Sequence, residues 1–230
     1  MKISPSILAA DLCELGVAVD EVSAYGADYI HVDVMDGHFA PNHAFGPELV
    51  KSLRGRTDLP IDVHLMVKPI DKRILQSYAF AGASFLTIHF ESGHLNDIRH
   101  MLHWISDDLT GLSLRAGIAI SPNTPIKEFK DFWYKDMLDF ITVMGVQPGF
   151  AGQKFIDTTP DRVKEIRNIV GPDVEIMVDG GINFHTIESV FTSGADTIVA
   201  GAAIFGTGNI RQNLDQLSRG YLPEDTVKYA

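Results

Sequence analysis

Gly26-Ala27-Asp28-Tyr29-Ile30-His31-Val32-Asp33-Val34-Met35 opens on a turn and runs into an alternating strand. A glycine closing a helix can take the left-handed conformation that leads the chain into a sheet. The same mark stands at Gly82-Ala83-Ser84 and Gly194-Ala195-Asp196, each ahead of an apolar run. Short β-branched runs alternate with longer amphipathic stretches from end to end, the pattern of parallel strands joined by crossover helices. Strands are expected at Ile3–Leu8, Asp28–Val34, Ile61–Val67, Phe85–Phe90, Ala116–Ile120, Phe140–Val146, Glu175–Asp179 and Thr197–Ala200. No Pro/Ser-rich linker divides them, so the units are expected to close into one (β/α)8 TIM barrel spanning residues 1–230. An open doubly wound sheet is the structural alternative.

Strands buried on both faces should be apolar, so their ionisable residues stand out. The two-residue period puts His31, Asp33 and Met35 on one face, with Val32 and Val34 on the other. If the valines meet the outer helices, the His and Asp point into the barrel. In Asp62-Val63-His64-Leu65-Met66, His64 and Met66 share a face opposite Val63 and Leu65. Met177-Val178-Asp179-Gly180-Gly181 sets Asp179 at a strand's carboxyl end, where barrel active sites are built. Met144 precedes the loop after the sixth strand. Each of these residues alone reads as a satisfied core group. His31, Asp33, His64 and Asp179 together read as a site for one divalent ion, Zn²⁺, Fe²⁺, Mn²⁺ or Co²⁺.

Composition narrows the partners. With 45% hydrophobic and 21% charged residues, the chain can bury a sizeable core and has no disordered signature. A formal charge of −11 and the lack of a basic run argue against nucleic acid. Asp11 interrupts the amino-terminal apolar stretch before a signal peptide or membrane span can form. The single cysteine, Cys13, agrees with a reducing compartment and is expected to be buried, so cytoplasmic residence is the expectation.

Glycines crowd the final loops: Gly145, Gly149 and Gly152, then Gly180-Gly181, then Gly201. Backbone amides there can approach an anion closely, and barrels often bind phosphate after strands seven and eight. Gln147-Pro148-Gly149-Phe150-Ala151-Gly152-Gln153 reads as a lid, or more plainly as a mobile surface loop.

These stretches resemble the ribulose-phosphate 3-epimerase family from Ser4 to about Phe205. The likeness is carried by Ser4-Pro5-Ser6-Ile7-Leu8, His31 to Gly37 with Pro41-Asn42, Asp62 to Val67, Asn123-Thr124-Pro125, Pro148 to Gln153, Val178-Asp179-Gly180-Gly181 and Gly201-Ala202-Ala203-Ile204-Phe205. The resemblance implies a ribulose-phosphate-binding barrel with one metal ion, Zn²⁺ first among the candidates, held by His31, Asp33, His64 and Asp179. Asp33 and Asp179 would also serve as acid and base on opposite faces of a ketose phosphate. It further implies substrate contacts from Ser6, His64, Met35, Met66, Met144, Gly149, Phe150, Ala151, Gly152, Asp179, Gly180, Gly181, Gly201 and Ala202. Inversion needs two carboxylates, one to take a proton and one to return it, and no redox cofactor.

The chain departs from the family pattern in four places. Ala202 replaces a common serine, Gln147 stands where Asn or Glu is usual, Met177 occupies a place often held by Glu, and Phe90 interrupts the usual His-Pro-Glu order. The last leaves His89 with a functional and a structural reading. The expected reaction is conversion of D-ribulose 5-phosphate to D-xylulose 5-phosphate, with a D-allulose 6-phosphate epimerase as the alternative. A metal-independent decarboxylase barrel would need a lysine between acids, which Asp33-Val34-Met35-Asp36 lacks. A non-catalytic phosphosugar-binding barrel predicts a lost ligand, whereas all four are present. A homo-oligomer is expected, with Trp104, Phe132, Trp133 and Tyr134 as apolar surface or as helix packing.

Overall fold

The computed structural model describes residues 1–106, 111–134, 138–206 and 208–220. Its strands are β1 (Lys2–Pro5), β2 (Ile30–Asp36), β3 (His43–Ala44), β4 (Ile61–Met66), β5 (Phe85–His89), β6 (Arg115–Ile120), β7 (Phe140–Met144), β8 (Glu175–Asp179) and β9 (Thr197–Ala200). Between and after them lie α1 (Leu15–Ala24), α2 (Pro47–Arg54), α3 (Lys72–Ala81), α4 (Leu95–Ser106), α5 (Ile126–Phe132), α6 (Thr159–Val170), α7 (Ile187–Thr192), α8 (Ala202–Phe205) and α9 (Ile210–Arg219). Pairing runs β1-β9-β8-β7-β6-β5-β4-β2, all parallel, and β3 is an antiparallel branch on the end of β2. A parallel bridge between Ser6 and His31, with the Asp28 amide donating to the Ile3 carbonyl, joins β1 to β2 and shuts the ring. The chain is therefore a (β/α)8 barrel, and an open sheet is excluded by this closure.

The recurring glycine mark has a physical purpose. Gly26, Gly82 and Gly194 take φ of 93°, 105° and 100°, a region side chains resist. Two residues on, Asp28, Ser84 and Asp196 each accept an amide near the start of a neighbouring strand, from Ile3, Ile61 and Ile176. Asp139 does the same for Ala116 without a preceding glycine. Each device satisfies an amide that the strand start would leave unpaired.

The expected first strand stops earlier, at Pro5. The Ser6 amide bonds to Ala200 on β9, so alternation turns the Pro5 nitrogen toward β2, where it has no hydrogen to give. The chain then turns through a 3-10 helix at Ile7–Ala9. The short β3 was not foreseen, because two residues carry no periodicity.

Outward strand residues such as Val32, Val34, Val63, Leu65, Leu86, Ile88, Ile141 and Val143 are buried against the helices. Each contributes about 1.5–3 kcal/mol of transfer free energy. The inner face at the amino-terminal end is an aromatic floor of Tyr29, Phe85, Phe140 and Met177. Met177, one of the departures, thus packs one inward layer below Asp179. Phe132 is buried against Phe90, and Trp104 and Trp133 pack against the core, leaving Tyr134 as the exposed member of that group. Cys13, expected to be buried, is exposed on the loop before α1.

Candidate metal centre and active site

Alternation along three strands brings His31 and Asp33 of β2, His64 of β4 and Asp179 of β8 to the carboxyl end of the barrel. One donor atom from each lies within 4.8 Å of the others, and all four residues are buried. His31 Nε2 is 3.2 Å from Asp33 Oδ1, 3.3 Å from His64 Nδ1 and 3.6 Å from Asp179 Oδ2. His64 Nδ1 is 3.2 Å from Asp33 Oδ1 and 3.3 Å from Asp179 Oδ2. An ion with four ligands at about 2.1 Å sets its donors about 3.4 Å apart, close to these five separations. The donor set can hold a metal ion.

Each imidazole is held from behind. His31 Nδ1 bonds to Asp62 Oδ2 at 2.8 Å, and Thr87 donates to the other Asp62 oxygen at 2.7 Å. His64 Nε2 lies 2.9 Å from His89 Nε2, and His89 Nδ1 is 3.0 Å from Glu91 Oε2. Glu91 Oε1 in turn accepts from the Ser121 amide and the Thr124 hydroxyl. Neither Asp62 nor Glu91 was singled out in the sequence, although the same alternation turns Asp62 inward with His64. Phe90 points the other way, its ring against Phe129 and Phe132, so the replacement of proline leaves His89 and Glu91 facing inward.

The buried carboxylates favour positive charge at this place. Burial pushes the His31 imidazole down, but Asp33, Asp62 and Asp179 outweigh it and raise it well above its usual value. Burial opposes the charge on His64 too, yet Asp179 and Asp33 bring it up to about 9. Burial favours the neutral acid at Asp33 and Asp179, and the two imidazoles override it, holding both carboxyls low.

Above the cluster opens a cavity of about 190 Å³, room for a small molecule and not for a polymer. Asp33 and Asp179 line it with Ser6, Met35, Met66, Met144, Gly149, Phe150, Ala151, Gly152, Gly180, Gly181, Gly201 and Ala202. All the substrate contacts implied by the resemblance are there except His64, which is buried beneath the carboxylates. Ser6 also donates to Asp33 Oδ2 at 2.6 Å. Asn42, which was not foreseen as a site residue, donates to the Gly149 carbonyl at 2.9 Å and ties the segment from Gln147 to Gln153 to the loop after β2. The Gln153 amide bonds the Gln147 and Phe150 carbonyls, bracing that segment from within.

The model of the ribulose-phosphate 3-epimerase family matches residues 2–205. The ribulose-phosphate 3-epimerase of Escherichia coli is 42% identical, covering 94% of this chain and 93% of the relative. That of Bacillus subtilis is 38% identical over 94% of this chain and 98% of the relative. Among solved structures, 3-keto-L-gulonate-6-phosphate decarboxylase from Vibrio cholerae superposes with a TM-score of 0.72 at 18% identity, covering 96% of this chain and 99% of that one. Orotidine 5'-phosphate decarboxylase from Pyrococcus horikoshii gives a TM-score of 0.65 at 17% identity, covering 96% of this chain and 99% of that one. At such identities the two decarboxylases speak for the barrel alone.

Proposed function

Because this chain belongs to the ribulose-phosphate 3-epimerase family, we propose that it interconverts D-ribulose 5-phosphate and D-xylulose 5-phosphate by inverting C3. The observation that carries this reading is the pair of carboxylates, Asp33 and Asp179, meeting two imidazoles at the floor of a small cavity. Their strands stand three places apart around the ring, so the carboxylates reach the cavity from different sides. One takes the C3 proton and the other delivers a proton to the opposite face, and the reverse reaction exchanges their roles.

His31, Asp33, His64 and Asp179 hold the cation, and Zn²⁺ suits four close donors of nitrogen and oxygen, with Fe²⁺, Mn²⁺ and Co²⁺ as the alternatives to be compared. When bound, the ion supplies Lewis-acid stabilisation of the negative charge that develops on the substrate oxygens. Met35, Met66 and Met144 wall the reacting carbon with apolar surface and limit the water that reaches it. Gly180, Gly181, Gly201 and Ala202 present backbone to the phosphate, and Gly149 to Gly152 cover it.

The test is deuterium uptake from D2O, with ribulose 5-phosphate and allulose 6-phosphate compared, before and after chelation. Label entering C3 of ribulose 5-phosphate, lost with the metal and restored by added Zn²⁺, is the expected result. Faster labelling of allulose 6-phosphate would reassign the substrate, and no label in either sugar would end the epimerase reading.

A further inference from the structure

We propose that Glu91 and His89 are positioning residues that set the proton order of His64, so that its Nδ1 presents a lone pair to the cation. The inference rests on the metal-centre reading above and concerns a part of the chain outside the four ligands. An imidazole can bind a cation only through a nitrogen that carries no proton, and its other nitrogen must then donate. His64 Nδ1 faces Asp33 and Asp179, so the donor is Nε2, and its partner at 2.9 Å is another imidazole nitrogen, His89 Nε2.

A histidine partner is ambiguous, since either of its nitrogens can carry the proton. Glu91 removes the ambiguity. Its carboxylate, 3.0 Å from His89 Nδ1, accepts only, so His89 keeps its proton on Nδ1 and offers Nε2 as acceptor. The order is then His64 Nε2–H to His89 Nε2, and His89 Nδ1–H to Glu91 Oε2. Both rings are fully buried and nearly parallel, 4.9 Å between centroids at 22°, so no solvent competes for these nitrogens.

Glu91 is itself anchored by the Ser121 amide and the Thr124 hydroxyl. Arg162 on α6 donates to the Ser121 carbonyl at 3.0 Å and steadies that loop. His31 needs no such relay, because Asp62 meets its Nδ1 directly. The ring of Phe39, tilted at 43° to His89 with 4.4 Å between centroids, covers the relay on the side of the β2 loop.

Two measurements on the full chain test this. In the Zn²⁺-loaded wild type with ¹⁵N-labelled histidine, the ring nitrogen shifts should place the proton on Nε2 of His64 and on Nδ1 of His89. The opposite order on His89 would overturn the proposal without any variant having to fold. Zn²⁺ affinity, measured by competition with a chromophoric chelator, should fall about 10- to 100-fold in Glu91→Gln and in His89→Gln. Melting of the cation-free variants within a few degrees of wild type will show that the loss is not one of folding. Affinity within twofold of wild type in both variants would refute the relay while leaving the metal centre standing. A wild type that binds no Zn²⁺, Co²⁺ or Mn²⁺ would remove the metal centre itself, and the relay with it.

Discussion

Asp33 and Asp179 each carry two duties, ligand and proton carrier, and a single atom change separates them. Asn keeps the shape and one oxygen but cannot accept a proton. Asp33→Asn and Asp179→Asn should each lower kcat by roughly 10²- to 10⁴-fold, the usual worth of a positioned acid or base. Metal content measured on the same samples will tell lost chemistry from lost ion, and a variant that keeps its ion and its rate would exclude that residue as the proton carrier. Asp33 has a further partner in Ser6, whose hydroxyl donates to the oxygen not shared with the imidazoles. His31, Asp33 and His64 were legible as inward residues from alternation along single strands, and Asp179 from its place at a strand's carboxyl end. Asp62 was legible by the same rule and was missed, while the task of Glu91 depends on a contact to His89 and on a loop at Ser121 and Thr124, which no pattern within its own strand reveals.

At the level of elements, the loops after β7 and β8 lie so close that only glycine fits. A Cβ on Gly145 would stand 2.4 Å from the Gly180 carbonyl oxygen. One on Gly181, at φ 72°, would meet the Phe155 Cα at 2.7 Å. Gly145→Ala and Gly181→Ala should each destabilise by about 1–3 kcal/mol through backbone displacement, read from urea unfolding, and raise KM for the phosphorylated substrate. Wild-type KM in both would argue against phosphate binding at these loops. The segment from Gln147 to Gln153 is tied to the loop after β2 by the Asn42 side chain, which donates to the Gly149 carbonyl. A neutral hydrogen bond of about 1 kcal/mol corresponds to roughly fivefold in affinity, so Asn42→Ala should raise KM by about that factor with little change in melting. The glycines were visible in the sequence as a group. Which of them touch each other was decided by the packing of Phe155 and the approach of one loop to the next.

Across the whole barrel, the site at one end is matched by a sealed floor at the other, where Glu175 gathers Lys2, Arg115, Tyr29 and Thr197 beneath the aromatic layer. Burial pushes the Glu175 carboxyl up, but the Thr197 hydroxyl, Lys2 and Arg115 outweigh it and hold it below its usual value of 4.5. A carboxyl lowered by folding adds stability that is complete above the unfolded value and is lost as pH falls through the folded one. Glu175→Gln should therefore cost about 2 kcal/mol at pH 7 and less at pH 3, measured by urea unfolding at both. An equal cost at the two pH values would show that shape rather than charge sustains the floor. The sequence by itself determined the eight parallel strands in outline, the four candidate donors and the family likeness, because a two-residue period, a helix-ending glycine and a motif are properties of a few consecutive residues. Tertiary structure alone decided that the ring closes at Ser6 and His31, that His64 leans on His89 and Glu91, and that His64 lies beneath the cavity instead of lining it. Those outcomes depend on the register between strands distant in the chain, which is set when the whole barrel packs.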